Sequence, residues 1–443
     1  MVYPTGATQE VAPQDLFFSI TDARGVIKQA NSVFVRLSRY PLHELMGAPH
    51  NIIRHPSMPG GAFLLMWETL KAGKPFCAYV DNLAADGSRY TVFATITPLG
   101  DDYLSVRIPP SQTALLDAAR SLYQATRPLE LQRREEGASA HAAAVAGLER
   151  LAELLVEAGI PSYDAFIQTA LPAEVLGRAG ALPQRPFAVG ALAELLAATH
   201  RLHAAVSNWV SQLGQLQQLA DDLIAGAEDV HRAADDGNRA AAEFDDILNR
   251  REGFSPIAGV LSLWTQMMPE VTSRLTPLAE RLEQLRELTA TTRFGIALSA
   301  LHSESMAQFV CELIDDDTSD ARPAIADLAN ALHQGVEEAT ASLRQHHELS
   351  SEVAQEATEL AELMKIPTTV LATWQTMVTD QDDDLAKLLP RASEVVQRGV
   401  TDANHLVTLA ERCREADVVA SSETSEALAD VQRLARLVVG TIN

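Results

Sequence analysis

The segment LFFSITDARGVIKQA, residues 16–30, contains two apolar runs separated by a polar turn at residues 22–25. Runs of this kind around such a turn predict a β-hairpin. Residues 31–70 then change to short helical patterns, which prolines and glycines interrupt repeatedly. The hairpin therefore opens a domain in which helices follow the first two strands.

Strand patterns return downstream of these helices, at residues 76–83, 90–98 and 103–108. The resulting order, β-β-α-α-β-β-β, predicts an α+β domain in which an antiparallel sheet carries its helices on one side. A sheet that buries one face against helices is a natural place for a pocket. We therefore expect a ligand site between the sheet and the helices.

Everything after Pro110 has a helical pattern. One stretch alternates steps of four and three residues, the repeat of a left-handed coiled coil. Its apolar positions are Leu202, Val206, Trp209, Leu213, Leu216, Ala220, Leu223, Ala227, Val230, Ala234, Gly237, Ala241, Phe244 and Leu248. Gly253 and Pro256 interrupt the pattern, and a second seam begins at Val260 and continues through Met267 with one slip near Arg274. Such a seam needs a partner helix, either in a second copy or in the same chain.

These patterns divide the chain into four segments. They are a tail at 1–13, the sheet domain at 14–110, a helical connector at 111–195 and a coiled-coil or helical-bundle region at 196–443.

Composition narrows the possible partners and compartments. The chain has 443 residues and a formal net charge of −24, which argues against binding to nucleic acid or to anionic lipid. Its three cysteines are far apart, so neither a disulfide framework nor a cysteine-rich metal site is expected. The longest apolar run, residues 62–67, is too short to span a membrane, and the N-terminus lacks a signal-peptide pattern. We expect a soluble cytoplasmic protein.

Three segments of the sheet domain are distinctive: PHNIIRHPSMP at 49–59, MWETLKAGKPFCAYVDN at 66–82 and DGSRY at 86–90. Together they resemble the PAS sensor domain of the bacterial aerotaxis receptor family, over about residues 14–110. The resemblance implies a PAS fold that binds FAD without a covalent bond and reports the redox state of the flavin.

The residues themselves are compatible with such a ligand. His50, Asn51, Arg54 and His55 place hydrogen-bond donors and a fixed positive charge in a proline-broken segment, a setting that suits the phosphates and polar ring edge of a flavin. Aromatic side chains at Phe63, Trp67 and Phe76 could form a stacking wall, and Asn31 and Asn82 could reach ring carbonyls. By motif position, the resemblance implies FAD contacts at Asn31, His50, Arg54, His55, Phe63, Phe76, Asn82 and Tyr90.

Two positions depart from the family pattern. Ser57 stands where the family has an aspartate that could hold Arg54 or His55, and Phe76 stands where it usually has a tryptophan. Two other interpretations stay open: a haem-binding PAS gas sensor with His50 or His55 as the iron ligand, and a cofactor-free PAS scaffold that serves dimerisation.

In the family that the PAS segments resemble, the helical output ends in a hairpin tip that docks a coupling protein and a histidine kinase. GIALSALHSES, residues 295–305, is similar to that tip at its start only, so a degenerate tip and an ordinary helix both stay open. Glu337 and Glu338 partly match a receptor methylation site, although acidic pairs are common on solvated helices.

The chain shows no enzyme signature. HHELS at 346–350 has the composition of a histidine-kinase phosphoacceptor box, yet no glycine-rich nucleotide loop follows it. The sequence therefore predicts a regulator rather than an enzyme. We expect an FAD-containing redox or oxygen sensor that signals through a helical bundle, as a homodimer formed through the coiled coil, with a chemotaxis kinase, its coupling protein or another signalling protein as partner.

Overall fold

Five antiparallel strands form the sheet of the N-terminal domain. The computed structural model describes residues 2–178, 182–249, 256–315, 322–378, 386–415, 418 and 422–440. The strands are β1 (Phe17–Asp22), β2 (Ile27–Ala30), β3 (Phe76–Leu83), β4 (Arg89–Leu99) and β5 (Asp102–Ile108). They pair in the order β2-β1-β5-β4-β3. The predicted α+β order of elements is confirmed.

Short helical elements lie between β2 and β3. They are α1 (Ser32–Ser38), α2 (Leu42–Leu45), a 3₁₀ turn (His50–Ile53) and α3 (Gly60–Lys71). Prolines set several of these bounds: Pro41 immediately precedes α2, Pro49 the 3₁₀ turn and Pro59 α3. Proline suits the start of a helix because its missing N–H has no partner there in any case.

Side chains alternate between the two faces of the sheet. On the inner face, Phe17, Arg107, Ala94 and Ala78 form one row across β1, β5, β4 and β3. The apolar core lies on this side, where α1, α2 and the 3₁₀ turn contribute buried side chains that include Phe34, Leu45 and Ile53. Two alanines beside Arg107 leave this part of the inner face without large side chains.

Long helices make up the rest of the chain. They are α4 (Thr113–Glu135), α5 (Ala140–Glu157), α6 (Tyr163–Leu176), α7 (Ala191–Asn249), α8 (Pro256–Asp315), α9 (Arg322–Met377), α10 (Leu389–Glu415) and α11 (Ser422–Gly440). The described part of the chain has no strand beyond β5, as the helical pattern predicts. None of its helices combines the length and apolar character that crossing a bilayer requires.

The chain divides into two compact units. The first comprises Met1–Ser211, Arg293–Thr340 and Ala420–Asn443, and the second comprises Gln212–Thr292 and Ala341–Val419. The sheet domain, α4 to α6 and one end of each of α7, α8 and α9 thus belong to the first unit. The division into four segments stays a prediction.

The second unit is a helical bundle whose core includes the predicted seam. Leu223, Val230 and Phe244 of α7 pack in one apolar cluster with residues of α8, α9 and α10. Phe244, for example, stacks on Trp374 with ring centroids 5.9 Å apart. The partner helices of this part of the seam therefore lie in the same chain, and burying these positions does not require a second copy of the protein. Gly253 lies outside the described residues.

The second seam has a different register from the predicted one. Leu261 and Met268 are buried, whereas Val260 and Met267 are only partly buried. From Leu261 the buried positions continue without a slip. They are Leu261, Trp264, Met268, Val271, Leu275, Leu278, Leu282 and Leu285. The predicted slip near Arg274 is therefore wrong. It arose because the apolar residues Val260 and Met267 stand next to the true core positions Leu261 and Met268.

The segment 295–305 is not a hairpin tip. It lies inside α8, which continues to Asp315. Ser299, Ser303 and Glu304 are buried in the first unit. A tip must present its polar side chains to a partner, and these side chains contact the protein itself. The tip interpretation is wrong, and residues 295–305 form an interior helix segment.

Candidate functional site

A cavity of about 310 Å³ lies between the inner face of the sheet and the segment that contains α3. This volume falls in the lower part of the range of small-molecule sites. The exposed residues Arg24 and Asn51 form part of its lining. Seven of the ten residues predicted from sequence line it: His50, Asn51, Arg54, Phe63, Trp67, Phe76 and Asn82.

Backbone hydrogen bonds hold the segment 49–59 at the edge of this cavity. His50 donates its backbone N–H to the Gly25 carbonyl (2.8 Å), which ties the 3₁₀ turn to the hairpin between β1 and β2. Arg54 forms an isolated antiparallel bridge with Asn82 of β3. The proline-broken sequence thus runs along the sheet and directs Arg54 and Asn82 to the same site.

Arg54 combines a stacking contact with an unused donor. Its guanidinium lies 3.4 Å from the ring centroid of Phe63. Burial, and then repulsion from Arg127, lower the pKa of Arg54 to about 10, so it stays charged at neutral pH. Within the described part of the chain, neither Arg54 Nε nor the buried Asn82 Nδ2 has a hydrogen-bond partner. Two donors beside one cavity are therefore free to bind a ligand's acceptor atoms.

Arg107 of β5 is the main residue that the sequence analysis missed. It is only 4% exposed and also lines the cavity. Its guanidinium donates to Ser19 Oγ (3.2 Å) and contacts His50 Nε2 (2.5 Å). Burial lowers the pKa of Arg107 to about 10, so that this side chain also remains charged. The sequence signal that could have identified Arg107 is a basic residue at an inward-facing position of the otherwise apolar end of the strand DYLSVRI.

His50 is the neutral partner of this arginine. Burial, followed by repulsion from Arg107 and Arg54, holds the pKa of His50 well below its usual value. The ring also stacks on Phe34, with centroids 5.8 Å apart. An uncharged His50 can accept a hydrogen bond from Arg107 at Nε2.

Three predicted residues do not line the cavity. Asn31 caps α1, accepting from the Phe34 N–H (3.1 Å), and its Nδ2 donates to the Glu312 carboxylate (3.2 Å). His55 bonds Ser57 Oγ through Nδ1 (2.6 Å). Tyr90 is fully buried in the core. Five of the eight residues implied by motif position therefore line the cavity, and these three do not.

Both departures from the family pattern have local partners. Ser57 binds the His55 ring, as described above, while Phe76 lines the cavity and stacks on Tyr163 of α6 at 5.4 Å between centroids. The described residues contain no group of three or more His, Cys, Asp or Glu side chains arranged to hold a metal ion.

Comparison with known proteins finds relatives of the N-terminal part. The chain is 38% identical over 128 residues to the aerotaxis receptor of Escherichia coli (strain K12), a match that covers 28% of this chain and 25% of the receptor. It is 35% identical over 81 residues to the nitrogen fixation regulatory protein of Klebsiella pneumoniae, covering 18% of this chain and 16% of that protein. The N-terminal sheet domain is a PAS sensor domain similar to that of the aerotaxis receptor. This confirms the resemblance for the PAS domain.

The chain therefore spans about a quarter or less of the length of these curated relatives. No family model matches it. Among solved structures, a fungal LOV domain photoreceptor matches at 22% identity, covering 24% of this chain and 79% of that one, with a TM-score of 0.19. A cysteine variant of the fungal photoreceptor VVD matches at 16% identity, covering 24% and 84%, with the same TM-score of 0.19.

Helices of the same chain cover the outer face of the PAS sheet. Phe18 of β1 stacks on Phe309 of α8 with ring centroids 3.4 Å apart. Tyr79 of β3 donates its hydroxyl to Glu174 of α6 (2.7 Å). Both faces of the sheet are thus in contact with other parts of the first unit, the inner face at the cavity and the outer face at α6 and α8.

Helix α4 contacts the PAS domain at the start of α3. The buried carboxylate of Glu130 accepts the N–H groups of Gly60 (2.7 Å) and Gly61 (2.8 Å). Arg127 donates to the Pro56 carbonyl (3.0 Å) and pairs with Glu130 (2.8 Å). Since Pro59 offers no side-chain cap, Glu130 satisfies the free N–H groups at this end of α3.

Proposed function

We propose that this protein is a signal transducer whose PAS domain binds FAD in the cavity and reports the redox state of the flavin through the helices packed on the sheet. The cavity carries this proposal. It combines an apolar and aromatic wall with two unpaired buried donors, Arg54 Nε and Asn82 Nδ2. The family resemblance of the segment 49–59 supports the choice of FAD over other ring ligands.

The lining residues suit a flat, polar-edged ring. Phe63, Trp67 and Phe76 provide aromatic surface. Arg54 and Asn82 can donate to ring carbonyls, and the exposed Arg24 and Asn51 can contact the phosphates. A bound flavin would supply reversible electron transfer together with a change in ring charge.

Transmission is proposed to pass through the sheet to its outer face. Donors that re-pair when the ring charge changes would shift β3 and β5, whose outer-face neighbours contact α6 and α8. In this proposal Asn31 belongs to the output contact, since its Nδ2 donates to the carboxylate of Glu312 in α8. The signal is a change in conformational bias rather than a chemical step.

The absorption spectrum of the purified full chain tests the proposal. Bands near ~450 nm that bleach with dithionite, and FAD released by heat, are expected from flavin chemistry. Arg54→Gln should weaken the affinity for FAD at least tenfold, as expected from the loss of one charge-assisted hydrogen bond. Arg133→Gln, which removes an exposed arginine of α4 far along the chain, is the matched control.

Other outcomes select the alternatives. A Soret band would support haem, although His50 Nε2 already faces Arg107 and His55 Nδ1 faces Ser57. A colourless protein that cannot be reconstituted with FAD would support the cofactor-free scaffold. Either result overturns the flavin proposal.

We propose in addition that the protein acts as a regulator in the reducing cytoplasm, since all three of its cysteines are free and buried. The proposal also includes a signalling protein as partner, in line with the receptor and regulatory relatives. It does not include a homodimer held by the α7 seam, because Leu223, Val230 and Phe244 are buried within the chain.

A further inference from the structure

The cavity has a strongly positive lining in a strongly negative protein. Arg24, Arg54 and Arg107 line it, and no aspartate or glutamate is among its lining residues, all of which the structure describes. The whole chain carries a formal charge of −24. Chance placement of charges from such a composition would favour acidic residues, so the lining points to a ligand that carries negative charge.

Arg107 is the least solvated of the three. Its two hydrogen-bond partners, Ser19 Oγ and His50 Nε2, carry no charge at neutral pH, and its guanidinium lies 5.4 Å from the ring centroids of both Phe17 and Phe34. A buried charge without a counter-ion is strongly destabilising. A protein retains such a group most readily where a ligand supplies the opposite charge.

The strand register leaves room for that ligand. Arg107 pairs with Ala94, and Ala94 pairs with Ala78, so two small side chains follow Arg107 along the same row of the inner face. All three line the cavity. A flat anion can therefore lie over the alanines with its charged edge near the guanidinium.

We propose that Arg107, positioned by His50 and Ser19, makes this cavity selective for the negatively charged state of a flat ring ligand. The inference rests on the proposed function when the ligand is a flavin. Arg107 then stabilises the ring after it has gained two electrons and one proton, when it carries one negative charge. In the test, dithionite supplies the electrons and becomes sulfite, and solvent supplies the proton.

The first experiment compares midpoint potentials of the flavin-loaded full chain. Arg107→Gln should weaken the preference for the reduced over the oxidised flavin at least tenfold, which lowers the potential by about 30 mV for a two-electron couple. Arg107→Lys should recover most of this loss. Arg133→Gln removes the same charge from an exposed position of α4 outside the cavity lining and should change the preference less than threefold.

A second experiment needs no flavin. The anionic dye 1-anilinonaphthalene-8-sulfonate and its uncharged analogue N-phenyl-1-naphthylamine are titrated into the ligand-free protein. Wild type should bind the anionic dye more tightly than the uncharged one, and Arg107→Gln should reduce that preference at least tenfold, whereas Arg133→Gln should not.

Ala94→Asp guards against an Arg107 variant that fails to fold. It keeps the arginine but places a carboxylate at the paired position of β4, so it should abolish the preference for the anionic dye. The inference is overturned if wild type, Arg107→Gln and Ala94→Asp all show the same preference for the anionic over the uncharged dye. If flavin binds but its potential is insensitive to Arg107, the inference fails while the proposed function stands. If no flavin binds but the affinity for the anionic dye depends on Arg107, the proposed function fails and the inference stands.

Discussion

His302 shows how a single titratable side chain is held in the contact between α8 and the PAS sheet. It is 3% exposed, and its Nε2 lies 3.3 Å from Thr97 Oγ1 on the outer face of β4. Burial lowers the pKa of His302 to about 4, so the ring is neutral in the folded protein. In the unfolded chain the same imidazole has the usual histidine pKa of about 6.5.

His302 should therefore make stability depend on pH. Between pH 6.5 and 4 the unfolded state binds more protons, so the stabilisation present above pH 6.5 is lost as the pH falls through this window. His302→Gln should remove about 2 kcal/mol of the loss between pH 7 and 5. Urea unfolding at both pH values, followed by circular dichroism, measures it. His347→Gln, at an exposed position of α9, is the control, and an unchanged pH dependence in His302→Gln would contradict the prediction.

Ala78 gives a second prediction at this scale, because a larger side chain there would occupy the cavity. Ala78→Leu should abolish flavin binding while leaving the melting temperature of the ligand-free protein unchanged or higher, since it fills space beside apolar neighbours. Ala118→Leu, on the exposed face of α4, should have no effect on binding. Full flavin occupancy in Ala78→Leu would show that the ligand binds elsewhere.

Helix α3 depends for its N-terminal cap on a residue of another helix. Glu130 of α4 holds the Gly60 and Gly61 N–H groups, and the close packing of α5 leaves no room for a side chain at Gly61, where an added Cβ would lie 2.4 Å from the Leu148 nitrogen. The wall of the cavity formed by α3 is thus fixed by α4 and α5. These helices therefore support the α3 wall of the cavity, although neither of them lines it.

Removing this cap should loosen the cavity wall. Glu130→Ala should destabilise the first unit by about 2–3 kcal/mol, because it strands buried N–H groups and the charge of Arg127. Glu130→Gln keeps one acceptor oxygen and should therefore destabilise the first unit less than Glu130→Ala does. Hydrogen exchange at residues 60–63 measures the effect, with Glu136→Gln on the exposed end of α4 as control. Unchanged protection in Glu130→Ala would contradict the capping role.

Helix α8 offers a matched pair of leucines for testing the bundle register. Leu261 is fully buried, whereas Leu263, two residues later, is 52% exposed. Leu261→Ala should destabilise the bundle by about 2–5 kcal/mol, and Leu263→Ala should stay within about 0.5 kcal/mol of wild type. Thermal unfolding of the two variants decides between the observed register and the predicted one, in which Val260 would be the core position.

At the scale of the whole molecule, the first unit brings together residues that are far apart in the chain. Asn31 contacts Glu312, and Arg178 forms a buried ion pair with Glu304, although 281 and 126 positions separate the partners. The PAS domain is therefore in direct contact with α8 through Asn31. A change at the cavity therefore has a short physical route to α8 within the first unit.

This route predicts a redox-dependent change in α8. Reduction of the flavin-loaded protein should alter hydrogen exchange at residues 302–312 at least twofold, because Phe309 rests on Phe18 of the sheet. The Ala78→Leu variant, which excludes the ligand, should show no response to dithionite. Identical exchange in the oxidised and reduced wild-type protein would exclude transmission through this contact.

The sequence by itself determined the order of strands and helices along the chain of the PAS domain, the proline-broken segment 49–59 and the heptad seam of α7. These features arise from local periods and from proline and glycine, which act on neighbouring residues. Seven of the ten candidate site residues also line the cavity, since the motif and the inward positions of β3 are local features.

Only the tertiary structure decided the rest. In the folded chain Arg107 contacts His50, and Asn31 donates a hydrogen bond to Glu312. The α7 seam packs against helices of the same chain, and side chains of the segment 295–305 are buried. Each of these outcomes depends on a contact between segments distant in sequence. A local period indicates which side of a helix or strand is buried, but it does not say which distant segment covers that side.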